Sequence, residues 1–515
     1  MWIANAARSR EIDRQAQEEF GISSSVLMER AGIAVFAAVQ ELLPEGGRLA
    51  ILCGKGNNGG DGFVVARVAA ERGFHVECLV AATEAELGAG AAHQRAVATA
   101  QGVQVIFSDD ARWPKRLQAL GHSDLIIDGL LGTGAKGAVQ GTLLDAIRAV
   151  NRSGVPVVSI DLPSGVDCDT GEELGESIWA LRTVSFGLPK PCFFQGIGLE
   201  HAGYWTIADI GFPAALTHDP TDARLLDSEW VGTLLPERLR ASHKGDNGAI
   251  LIVAGSNRMR GAAVLAARAA LRSGAGLVTV AAVESVCAAV AAQVPEATLL
   301  PLVEHDGIVH PSAADTILSH RSRFDSGLFG PGLSVEPAVA EFLDRVWRQW
   351  DRPACIDADA LTCVSQGVAL PAGECVLTPH PGEMSRLLHS SVAEIQADRF
   401  QSLLAAMSNL KRTVILKGPY SIAGESYQPM LVNCTGNSGM ASAGMGDVLS
   451  GVVATLLAQD LPAYHAAGCA MYWHGLAGDL CAQEIAPVGY TAMDVAEALP
   501  RARAKITLSC DGCSS

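Results

Sequence analysis

The stretch CGKGNNGGDGFVVAR, residues 53–67, decides the fold of the first half of the chain. It stands between the apolar run RLAIL and an apolar helical pattern, so it joins a strand to a helix through a glycine-rich turn. Gly54, Gly56 and Gly59 match the G-x-G-x-x-G pattern of dinucleotide-binding turns. The two asparagines and the aspartate of the same stretch have no role in an ordinary turn of that kind. The loop therefore either holds a dinucleotide cofactor or treats a nucleotide as its substrate.

A second loop of the same pattern, GTGAKG at residues 132–137, follows the strand-like run DLIIDGL. A cofactor turn also needs an acid about twenty residues further on, at the end of a strand. Glu77 falls in the middle of the strand-like run HVECLVA and does not fit this role. No G-K-[ST] occurs, which excludes a Walker phosphate loop. An alternative that stays open is that both loops are structural turns of a doubly wound sheet.

Strand-like and helical runs alternate through both halves of the chain. Continuous apolar strands between helices predict parallel sheets that are covered on both faces. The stretch GFPAALTHDPTDARLLD interrupts the alternation and predicts a linker, and the different motif orders argue against a tandem repeat. We therefore expect two doubly wound α/β domains at 1–215 and 228–515, joined by a linker at 216–227. Three closing helices are predicted at roughly 446–458, 463–485 and 490–504.

Composition and charge bound the function. The 515 residues are 49% hydrophobic and 18% charged, which is typical of a multidomain globular protein. A formal net charge of −17 argues against general binding to nucleic acid or to an anionic membrane. Thirteen cysteines, mostly in apolar runs, and no signal or membrane-spanning pattern lead us to expect a cytoplasmic protein with reduced thiols. We expect no metal or redox role for the C-x-x-C pair of Cys510 and Cys513 on the polar tail.

Polar residues follow several strands of the first half at the point where each strand ends. Asn58 follows the first strand, Asp128 ends the fourth, and Asp161 and Ser164 follow the fifth. Because the carboxyl ends of the strands of an open α/β sheet share one crevice, we expect these side chains to converge. Their oxygens form a set that suits a hard cation. The alternative is that Asp128 and Asp161 only cap the helices that follow.

Four motifs, GKGNNGGDGFVVAR, DGLLGTGAKG, IDLPSGVDCDTG and VSFGLPKP, together resemble the NAD(P)H-hydrate epimerase family over nearly all of residues 1–215. The resemblance implies a Rossmann-like three-layer sandwich whose substrate is a hydrated nicotinamide dinucleotide, NADHX or NADPHX. It also implies a K⁺ ion held by Asn58, Asp128 and Ser164. The implied substrate contacts are Asn57, Asn58, Gly59, Gly60, Asp61, Gly132, Thr133, Gly134, Ala135, Lys136, Gly137, Ala138 and Asp161.

The chemistry of the hydrate agrees with these residue types. The hydroxyl is on a ring carbon next to the ring nitrogen, so protonating it lets the nitrogen lone pair expel water. Water that returns from the other face inverts the centre. Asp161 is our candidate acid and base, because a carboxylate in a desolvated crevice can have its pKa raised toward neutrality. Ring opening and closure at the same carbon is an alternative that the sequence leaves open.

The second half contains NCTGNSGMASAGMGDVLSG, residues 433–451. Its glycines precede Asp447, which stands at the start of an apolar helix. Free N–H groups at such a helix start can bind a transferring phosphoryl group, and Asp447 can take the proton of an attacking hydroxyl. The alternative is that Asp447 is only an N-cap residue. The Gly-x-Gly-Asp arrangement resembles the ribokinase-like superfamily.

Further motifs, SHKGDNGAILIVAGS, FGPGLS, DADAL, LTPHPGEM and LKGPYS, make residues 228–505 resemble the ADP-dependent NAD(P)H-hydrate dehydratase family. The resemblance implies a ribokinase-like three-layer sandwich that uses Mg²⁺ with ADP. The implied hydrate contacts are Ala262, Gly332, His380 and Asp447. The implied nucleotide contacts are Lys417, Gly418, Pro419, Tyr420, Ser421 and Gly446.

Some positions leave questions open. Ser421 stands where the family leads us to expect threonine, and the stretch MRGA lacks the aromatic residue often found before its Gly-Ala pair. His380 could satisfy backbone groups of a turn instead of contacting a ligand. Asp357 and Asp359 in DADAL could help to place a metal ion or water.

Three functions compete at this point. The first is a bifunctional repair enzyme: an epimerase interconverts the R and S hydrates, and a dehydratase phosphorylates the S form and eliminates phosphate, giving NAD(P)H, AMP and phosphate. The second is a ribokinase-like small-molecule kinase with a regulatory N-terminal domain, which would release a stable phosphorylated product. The third is a module that only senses dinucleotides. We expect small-molecule partners only, and a homo-oligomer.

Overall fold

The computed structural model describes residues 1–218 and 223–511, and it divides into two compact units, Met1–Ala223 and Arg224–Ser515. The division falls within the stretch that we interpret as a linker, while the domain bounds at 215 and 228 stay predictions. The CDGC motif reaches the end of the described chain, and Cys513 lies outside it. Within the described residues, no helix is both long enough and apolar enough to cross a membrane.

The strands of the first unit are β1 (Trp2–Ile3), β2 (Arg48–Cys53), β3 (His75–Val80), β4 (Gln104–Phe107), β5 (Leu125–Gly129), β6 (Val157–Ile160), β7 (Arg182–Phe186) and β8 (Tyr204–Ala208). Its helices are α1 (Ala6–Glu18), α2 (Ser24–Leu42), α3 (Asn57–Glu71), α4 (Ala89–Ala100), α5 (Trp113–Gln118), α6 (Gly141–Ser153), α7 (Gly198–His201) and α8 (Ala214–Thr217).

The strands that follow are β9 (Ala223–Leu225), β10 (Ala249–Val253), β11 (Leu277–Ala282), β12 (Thr298–Pro301), β13 (Glu304–His305), β14 (Ile308–Val309), β15 (Ser326–Phe329), β16 (Ala354–Ile356), β17 (Cys375–Leu377), β18 (Thr413–Leu416), β19 (Ile422–Gly424) and β20 (Met430–Val432). The helices are α9 (Ser228–Leu234), α10 (Arg260–Arg272), α11 (Glu284–Gln293), α12 (Ala314–His320), α13 (Pro337–Trp347), α14 (Asp359–Ser365), α15 (Pro381–Leu388), α16 (Val392–Ala397), α17 (Arg399–Leu410), α18 (Met445–Ala458), α19 (Ala463–Glu484) and α20 (Ala492–Asp511).

The sheet of the first unit runs in the order β4-β3-β2-β5-β6-β7-β8, and its neighbouring strands are parallel. Alternate residues of β2 enter two different cores. Leu49 and Ile51 pack with α2 and α3, whereas Ala50 and Leu52 pack with α6. Helices therefore cover both faces, which confirms the doubly wound arrangement. The winding reverses between β2 and β5, so a crevice opens at the carboxyl ends of these two strands.

The sheet of the second unit runs in the order β9-β20-β19-β18-β17-β16-β15-β10-β11-β12. From β18 to β12 the neighbouring strands are parallel, whereas β19 is antiparallel to both β18 and β20. The core packs α10, α18, α19 and α20 against this sheet. The carboxyl ends of β10, β15, β16, β17 and β18 therefore meet at one edge, which is where α/β folds of this type bind ligands.

The three closing helices are confirmed as α18, α19 and α20. The last of them continues to Asp511, beyond its predicted end, because Ala502 and Ile506 keep an apolar face in the core. The sequence pattern does not predict helix α1, since its residues are mostly polar. The helix forms because Asn5 caps its first turn by accepting a hydrogen bond from the Arg8 N–H, and because Ile12 and Ala16 are buried.

Candidate functional site

The glycine-rich turn of the first unit lies at the point where the winding reverses. A Cβ atom on Gly54 would lie 1.9 Å from the carbonyl oxygen of Leu130, which follows β5. A Cβ atom on Gly59 would lie 1.9 Å from the carbonyl oxygen of Gly54. These two glycines therefore let the start of α3 pack directly against the turn and against the loop after β5. Gly56 has open space at its Cβ position and leaves the first N–H groups of α3 accessible to an anion.

A cavity of about 660 Å³ opens in front of this turn. Its lining includes the start of α3 and the first part of the second glycine loop, and α1 and α2 close the other side. Eight of the predicted substrate contacts line it: Asn57, Asn58, Asp61, Gly132, Thr133, Gly134, Ala135 and Asp161. The volume is within the range of pockets that hold small-molecule ligands.

The rest of the second loop points elsewhere. Lys136 is exposed, and its Nζ is 2.9 Å from Asp167 Oδ2 and 3.3 Å from Asp169 Oδ2. Gly137 and Ala138 are exposed and do not line the cavity. Of the predicted contacts at residues 132–138, only the first four therefore face the ligand space in this conformation.

Asp161 lines the cavity and is held by three hydrogen bonds, all to its Oδ1 atom. Lys190 Nζ donates at 2.7 Å, Ser185 Oγ at 3.0 Å and the Phe186 N–H at 3.3 Å. Oδ2 receives no hydrogen bond from the described residues and is available to a ligand. The backbone of Asp161 has φ = +66°, which is uncommon for a residue with a side chain. The motif VSFGLPKP contains Lys190, but nothing in its pattern indicates a role for the lysine.

Two further acids share the cavity with Asp161. Asp13 comes from α1, and burial and the nearby Asp161 raise its pKa to about 6, although Lys190 opposes the shift. Asp61 in α3 is 8% exposed, and burial, then Asp161 and Asp13, raise its pKa well above the ordinary range. Three carboxyl groups and one buried ammonium therefore surround the same space, an arrangement that suits proton transfer to and from a ligand.

The three residues expected to hold K⁺ meet around the backbone of Leu131. Its carbonyl oxygen accepts hydrogen bonds from Asn58 Nδ2 at 2.8 Å and from Ser164 Oγ at 3.3 Å. Asp128 is fully buried, and Oδ2 accepts from the Ser164 N–H at 2.9 Å and from Ser159 Oγ at 2.8 Å. Burial raises the pKa of Asp128, and the hydrogen bonds oppose that shift. The oxygens of Asp128, Ser164 and the Leu131 carbonyl group suit a hard cation, whereas Asn58 presents its Nδ2 to that carbonyl oxygen.

The capping alternative for the two aspartates is wrong. The N-cap residue of α6, the helix that follows Asp128, is Gln140, and that of α7, the α-helix that follows Asp161, is Ile197. Asp128 lies beneath the cavity and binds the strand ends, whereas Asp161 faces the cavity. The side chains of both residues therefore serve the crevice and not a helix end.

In the second unit, Lys417 lies at the carboxyl end of β18 and connects two acids. Its Nζ is 2.8 Å from Asp357 Oδ1 and 3.7 Å from Glu383 Oε2. Asp357 follows β16 and Glu383 is in α15 after β17, so three neighbouring strand ends contribute. Burial alone would lower the pKa of Lys417, but the two acids raise it above its ordinary value. A fixed cation of this kind suits a phosphate group.

Asp447 lies next to this group. It is the third residue of α18, whose N-cap residue is Gly444, so the N-cap alternative for Asp447 is wrong. Burial, then the charge of Asp357, raise the pKa of Asp447 to about 7, although Lys417 opposes the shift. A Cβ atom on Gly446 would lie 3.2 Å from Lys417 Nζ. The glycine therefore keeps the space between the lysine and the start of α18 free.

His380 has a structural role and an exposed ring at the same time. It is the N-cap residue of α15, and its Nδ1 accepts hydrogen bonds from the Gly382 N–H at 3.0 Å and the Glu383 N–H at 3.3 Å. Its own N–H donates to Glu383 Oε2 at 2.8 Å. The side chain is 52% exposed, so the ring edge that carries Nε2 can also meet a ligand.

Ala262 and Gly332 come together although seventy positions separate them. A Cβ atom on Gly332 would lie 3.1 Å from the Ala262 Cβ and 2.8 Å from the Met259 Cβ. Gly332 has φ = +64°, a further reason why a side chain is not tolerated there. Met259, in the stretch that lacks an aromatic residue, is exposed beside this pair.

The predicted nucleotide loop joins β18 to β19. The Gly418 N–H donates to Ser421 Oγ at 3.3 Å, and Ser421 Oγ donates to the Gly418 carbonyl oxygen at 3.1 Å. The serine hydroxyl therefore closes the loop. The guanidinium group of Arg399, which is buried, donates to the carbonyl oxygens of Pro419 and Leu416 and supports the loop from α17.

Four residues at these sites have no predicted role from the sequence: Asp13, Lys190, Glu383 and His474. Asp13 is in a helix with no motif, so no sequence signal indicates it. His474 in α19 is buried, and its Nε2 has no hydrogen-bond partner among the described residues. Burial and, to a smaller extent, Lys417 lower the pKa of His474 to about 4, so it is neutral at pH 7. It looks like a core residue in sequence, because apolar residues surround it.

Comparisons with known proteins match both halves of the chain. A family model described as NAD(P)H-hydrate dehydratase matches residues 250–501, and one described as YjeF-related protein N-terminus matches residues 24–192. The chain is similar to the bifunctional NAD(P)H-hydrate repair enzyme of Moorella thermoacetica, with 36% identity over 97% of this chain and 96% of that protein. The Escherichia coli protein of the same name is 33% identical over 97% and 93% of the two chains.

A solved structure supports the fold. A hypothetical protein from Streptococcus mutans aligns with 55% of this chain and 100% of its own, with 24% identity and a TM-score of 0.50. This likeness shows a shared fold only.

Proposed function

The chain belongs to the family of bifunctional NAD(P)H-hydrate repair enzymes, and we propose that the two sites described above carry out its two reactions. It is an enzyme that epimerises the R and S hydrates of NADH and NADPH and dehydrates the S form with ADP. The first unit is the epimerase, and the ribokinase-like second unit is the dehydratase. The observation that carries the assignment of residues is the position of one aspartate in each unit: Asp161 follows β6 and lines the cavity, and Asp447 is at the start of α18 beside Lys417.

In the first unit, the N–H groups at the start of α3 and the Gly132–Ala135 backbone would bind the dinucleotide, and Asp161 would face the hydroxylated ring. Two observations support this orientation. Asp161 lines the cavity, and its Oδ2 is left free by the described residues while Lys190 holds Oδ1. The carboxylate is thus fixed without being blocked.

Potassium would be held by Asn58, Asp128 and Ser164. Support comes from the side chains of the three residues, which meet around the Leu131 carbonyl oxygen and provide carboxylate and hydroxyl oxygens. When bound, K⁺ would supply positive charge and order the strand ends, and the protein's own groups would handle the protons. The relevant test is epimerase activity in K⁺ compared with an equal concentration of tetramethylammonium.

In the second unit, Asp447 would take the proton of the hydrate hydroxyl as that oxygen attacks the terminal phosphoryl group of ADP. The phosphate ester then loses phosphate, and the ring recovers its double bond. Lys417 and the free N–H groups of α18 would bind the phosphates, and Mg²⁺ is expected with the nucleotide. The raised pKa of Asp447, about 7, supports its role as a base near neutral pH.

Of the other predicted contacts, Ala262, Gly332 and His380 would meet the hydrate, and the loop from Lys417 to Ser421 and Gly446 would meet the adenine nucleotide. Ser421 closes the loop through its hydroxyl, a contact that threonine could also make. Serine at this position can therefore close the loop as the threonine of the family pattern would.

The test uses the full chain with a mixture of both NADH hydrate epimers, ADP and Mg²⁺, and follows the absorbance of the dihydronicotinamide. The wild type should convert the whole mixture and release phosphate. Asp161→Asn should stop after the S fraction, whereas Asp447→Asn should form no NADH yet still equilibrate the epimers. A stable phosphorylated product would instead support a kinase, and unaltered epimerisation by Asp161→Asn would support a first unit that only senses dinucleotides.

Location and assembly belong to the proposal as well. The eleven cysteines from Cys53 to Cys481 are free thiols, and all except Cys434 are buried, which supports a reducing compartment such as the cytoplasm. A homo-oligomer stays a prediction.

A further inference from the structure

We propose that Asp13, on a helix that carries no motif, is the proton donor to the ring hydroxyl in the epimerase reaction. The inference rests on the proposed epimerase function of the first unit and adds a catalytic residue to it. Asp13 would pass its proton to the substrate, and Asp161 would take up the proton that is released when water returns.

Asp13 reaches the cavity from a different element than the other charged groups. Its side chain lines the same 660 Å³ cavity as Asp161, Asp61 and Lys190, although it enters from α1 and the others enter from loops after β6 and β7 and from α3. Among the described residues no donor reaches the Asp13 carboxyl group, and only its backbone carbonyl oxygen accepts a hydrogen bond, from Gln17. The carboxyl group is therefore available to a ligand in the cavity.

The hydrogen bonds of Asp161 indicate which of the two aspartates donates the proton and which accepts it. Asp161 Oδ1 accepts hydrogen bonds from Lys190, Ser185 and Phe186, so Oδ2 is the oxygen that can take up a proton in the R-to-S direction. An aspartate bound in this way acts as an acceptor through Oδ2. Asp13 has no such donors, and its pKa of about 6 lets it hold and release a proton under physiological conditions.

The charged groups that face Asp13 come from several elements. Asp161 and Asp61 favour its neutral form by repulsion, and Lys190 favours its ionised form. Other ionisable groups that line the cavity are Arg10, Lys55 and Glu86. Asp61 is the competing acid, but it is only 8% exposed and its pKa is raised well above the ordinary range, so it would keep its proton.

Atoms and electrons balance in both steps. The Asp13 carboxylic acid protonates the ring hydroxyl, the C–O bond breaks, water leaves, and the nitrogen lone pair forms a C=N bond. Water then attacks the opposite face of that carbon, the C=N π electrons return to nitrogen, and the surplus proton passes to Oδ2 of Asp161. Exchange with solvent restores the proton on Asp13 and the carboxylate of Asp161. No oxidant, reductant or further reactant is needed.

The experiment measures conversion of the pure R hydrate to the S hydrate by the full chain, with ADP omitted, across the pH range. Asp13→Asn should lower kcat/KM by at least about 100-fold. In the wild type, kcat/KM should fall as pH rises above about 6, because the donor must be protonated. In Asp13→Asn, kcat/KM should no longer decrease above this pH. Asp13→Glu should recover part of the rate and part of this pH dependence, and Asp61→Asn should retain the pH dependence.

Glu11→Gln is the matched control, because it removes a carboxylate from the same helix. The Glu11 carboxylate pairs with Arg14 and does not line the cavity. This variant should leave epimerisation unchanged. Asp13→Asn activity within threefold of the wild type, or an unchanged fall with pH in that variant, would overturn the proposal. The proposal would also be overturned if kcat/KM of Asp13→Glu did not exceed that of Asp13→Asn. This comparison keeps the proposal testable even if Asp13→Asn alone misfolds. If the wild type itself does not epimerise, the proposed function fails instead.

Discussion

Lys190 Nζ lies 2.7 Å from Asp161 Oδ1, and only 3% of the lysine side chain is exposed. The two residues are 29 positions apart and come from loops after neighbouring parallel strands. The lysine also donates to the Phe186 carbonyl oxygen and to Ser185 Oγ, both at 2.9 Å. The pair therefore fixes a carboxylate at the mouth of the sheet in an uncommon backbone conformation.

Replacing Lys190 with methionine should impair the first unit in two ways. It leaves Asp161 without its cation in a partly desolvated site, so we expect a loss of about 3 kcal/mol in the free energy of unfolding. Epimerisation should fall by at least about 100-fold, because Asp161 is no longer held in position. Thermal unfolding and R-to-S conversion measure the two effects, while S-hydrate dehydration by the second unit should not change.

Lys136→Met serves as the stability control for that variant. Its ion pairs with Asp167 and Asp169 are at the surface, since the lysine is 57% exposed, so the expected loss is below about 1 kcal/mol. An equal loss of stability in both variants would contradict a larger contribution of the buried Lys190–Asp161 pair to stability.

Dehydration should require the ionised form of Asp447. Its pKa is about 7, so kcat for the S hydrate should rise with pH through neutrality and then level off. Asp447→Asn should lower kcat by about 100- to 10,000-fold at every pH. A pH profile of the wild type with saturating ADP and Mg²⁺ makes the measurement, and a rate that falls through this range would contradict a base.

Asp447 should also lower the stability of the folded protein at higher pH. The folded-state pKa of about 7 is above the ordinary value, so the folded state holds a proton that the unfolded chain releases, and stability is lost as pH rises from about 4 to 7. Asp447→Asn removes this loss. Its melting temperature should therefore exceed that of the wild type by more at pH 8 than at pH 5. Asp460→Asn, an exposed aspartate with positive φ that asparagine tolerates, should show no such difference.

Lys417→Met should change both nucleotide binding and the pH profile. The KM for ADP should rise at least about tenfold, because a charged contact to phosphate is lost. Lys417 lowers the pKa of Asp447, so its removal should move the rising part of the profile to higher pH by about one unit. Lys411→Asn, at the other end of β18, is the control and should shift neither quantity. A change in the KM for ADP without a shift of the pH profile would show that Lys417 does not affect the pKa of Asp447.

His380 allows its structural and binding roles to be separated. His380→Ala removes the cap of α15 and should cost about 1 kcal/mol in the free energy of unfolding. His380→Asn retains an oxygen that can cap the helix and should recover most of that stability. The KM for the hydrate should stay raised in both variants. Recovery of KM by asparagine would mean that His380 acts only through the helix.

Much of the first site could be predicted because its parts are local. The glycines of residues 53–67 have to allow close packing whatever surrounds them, and Gly54 and Gly59 do so against Leu130 and against each other. Asn58, Asp128 and Ser164 follow strands of one parallel sheet, so their convergence follows from topology alone. The alternation of apolar strands and helices likewise predicted both sheets, although the antiparallel β19 and β20 are too short for a clear pattern.

Other features depend on contacts that no local pattern encodes. Asp13 belongs to a polar helix whose apolar residues are few, and only its packing in the first unit brings it to the cavity beside Asp161. Lys136, expected at the substrate, pairs with Asp167 because the loop after β6 happens to present acids there. Burial and the charge of Asp357 raise the pKa of Asp447, and a sequence shows neither the burial nor that neighbour.

The sequence by itself therefore determined the chemical types at each strand end and the succession of strands and helices along the chain, because backbone geometry and the two periodicities are local properties. The tertiary structure alone decided which of these groups share a cavity, which are held by a counter-ion and which keep a proton at neutral pH. Those properties depend on distance and desolvation among residues far apart in the chain, and both are set only when the helices pack onto the sheets.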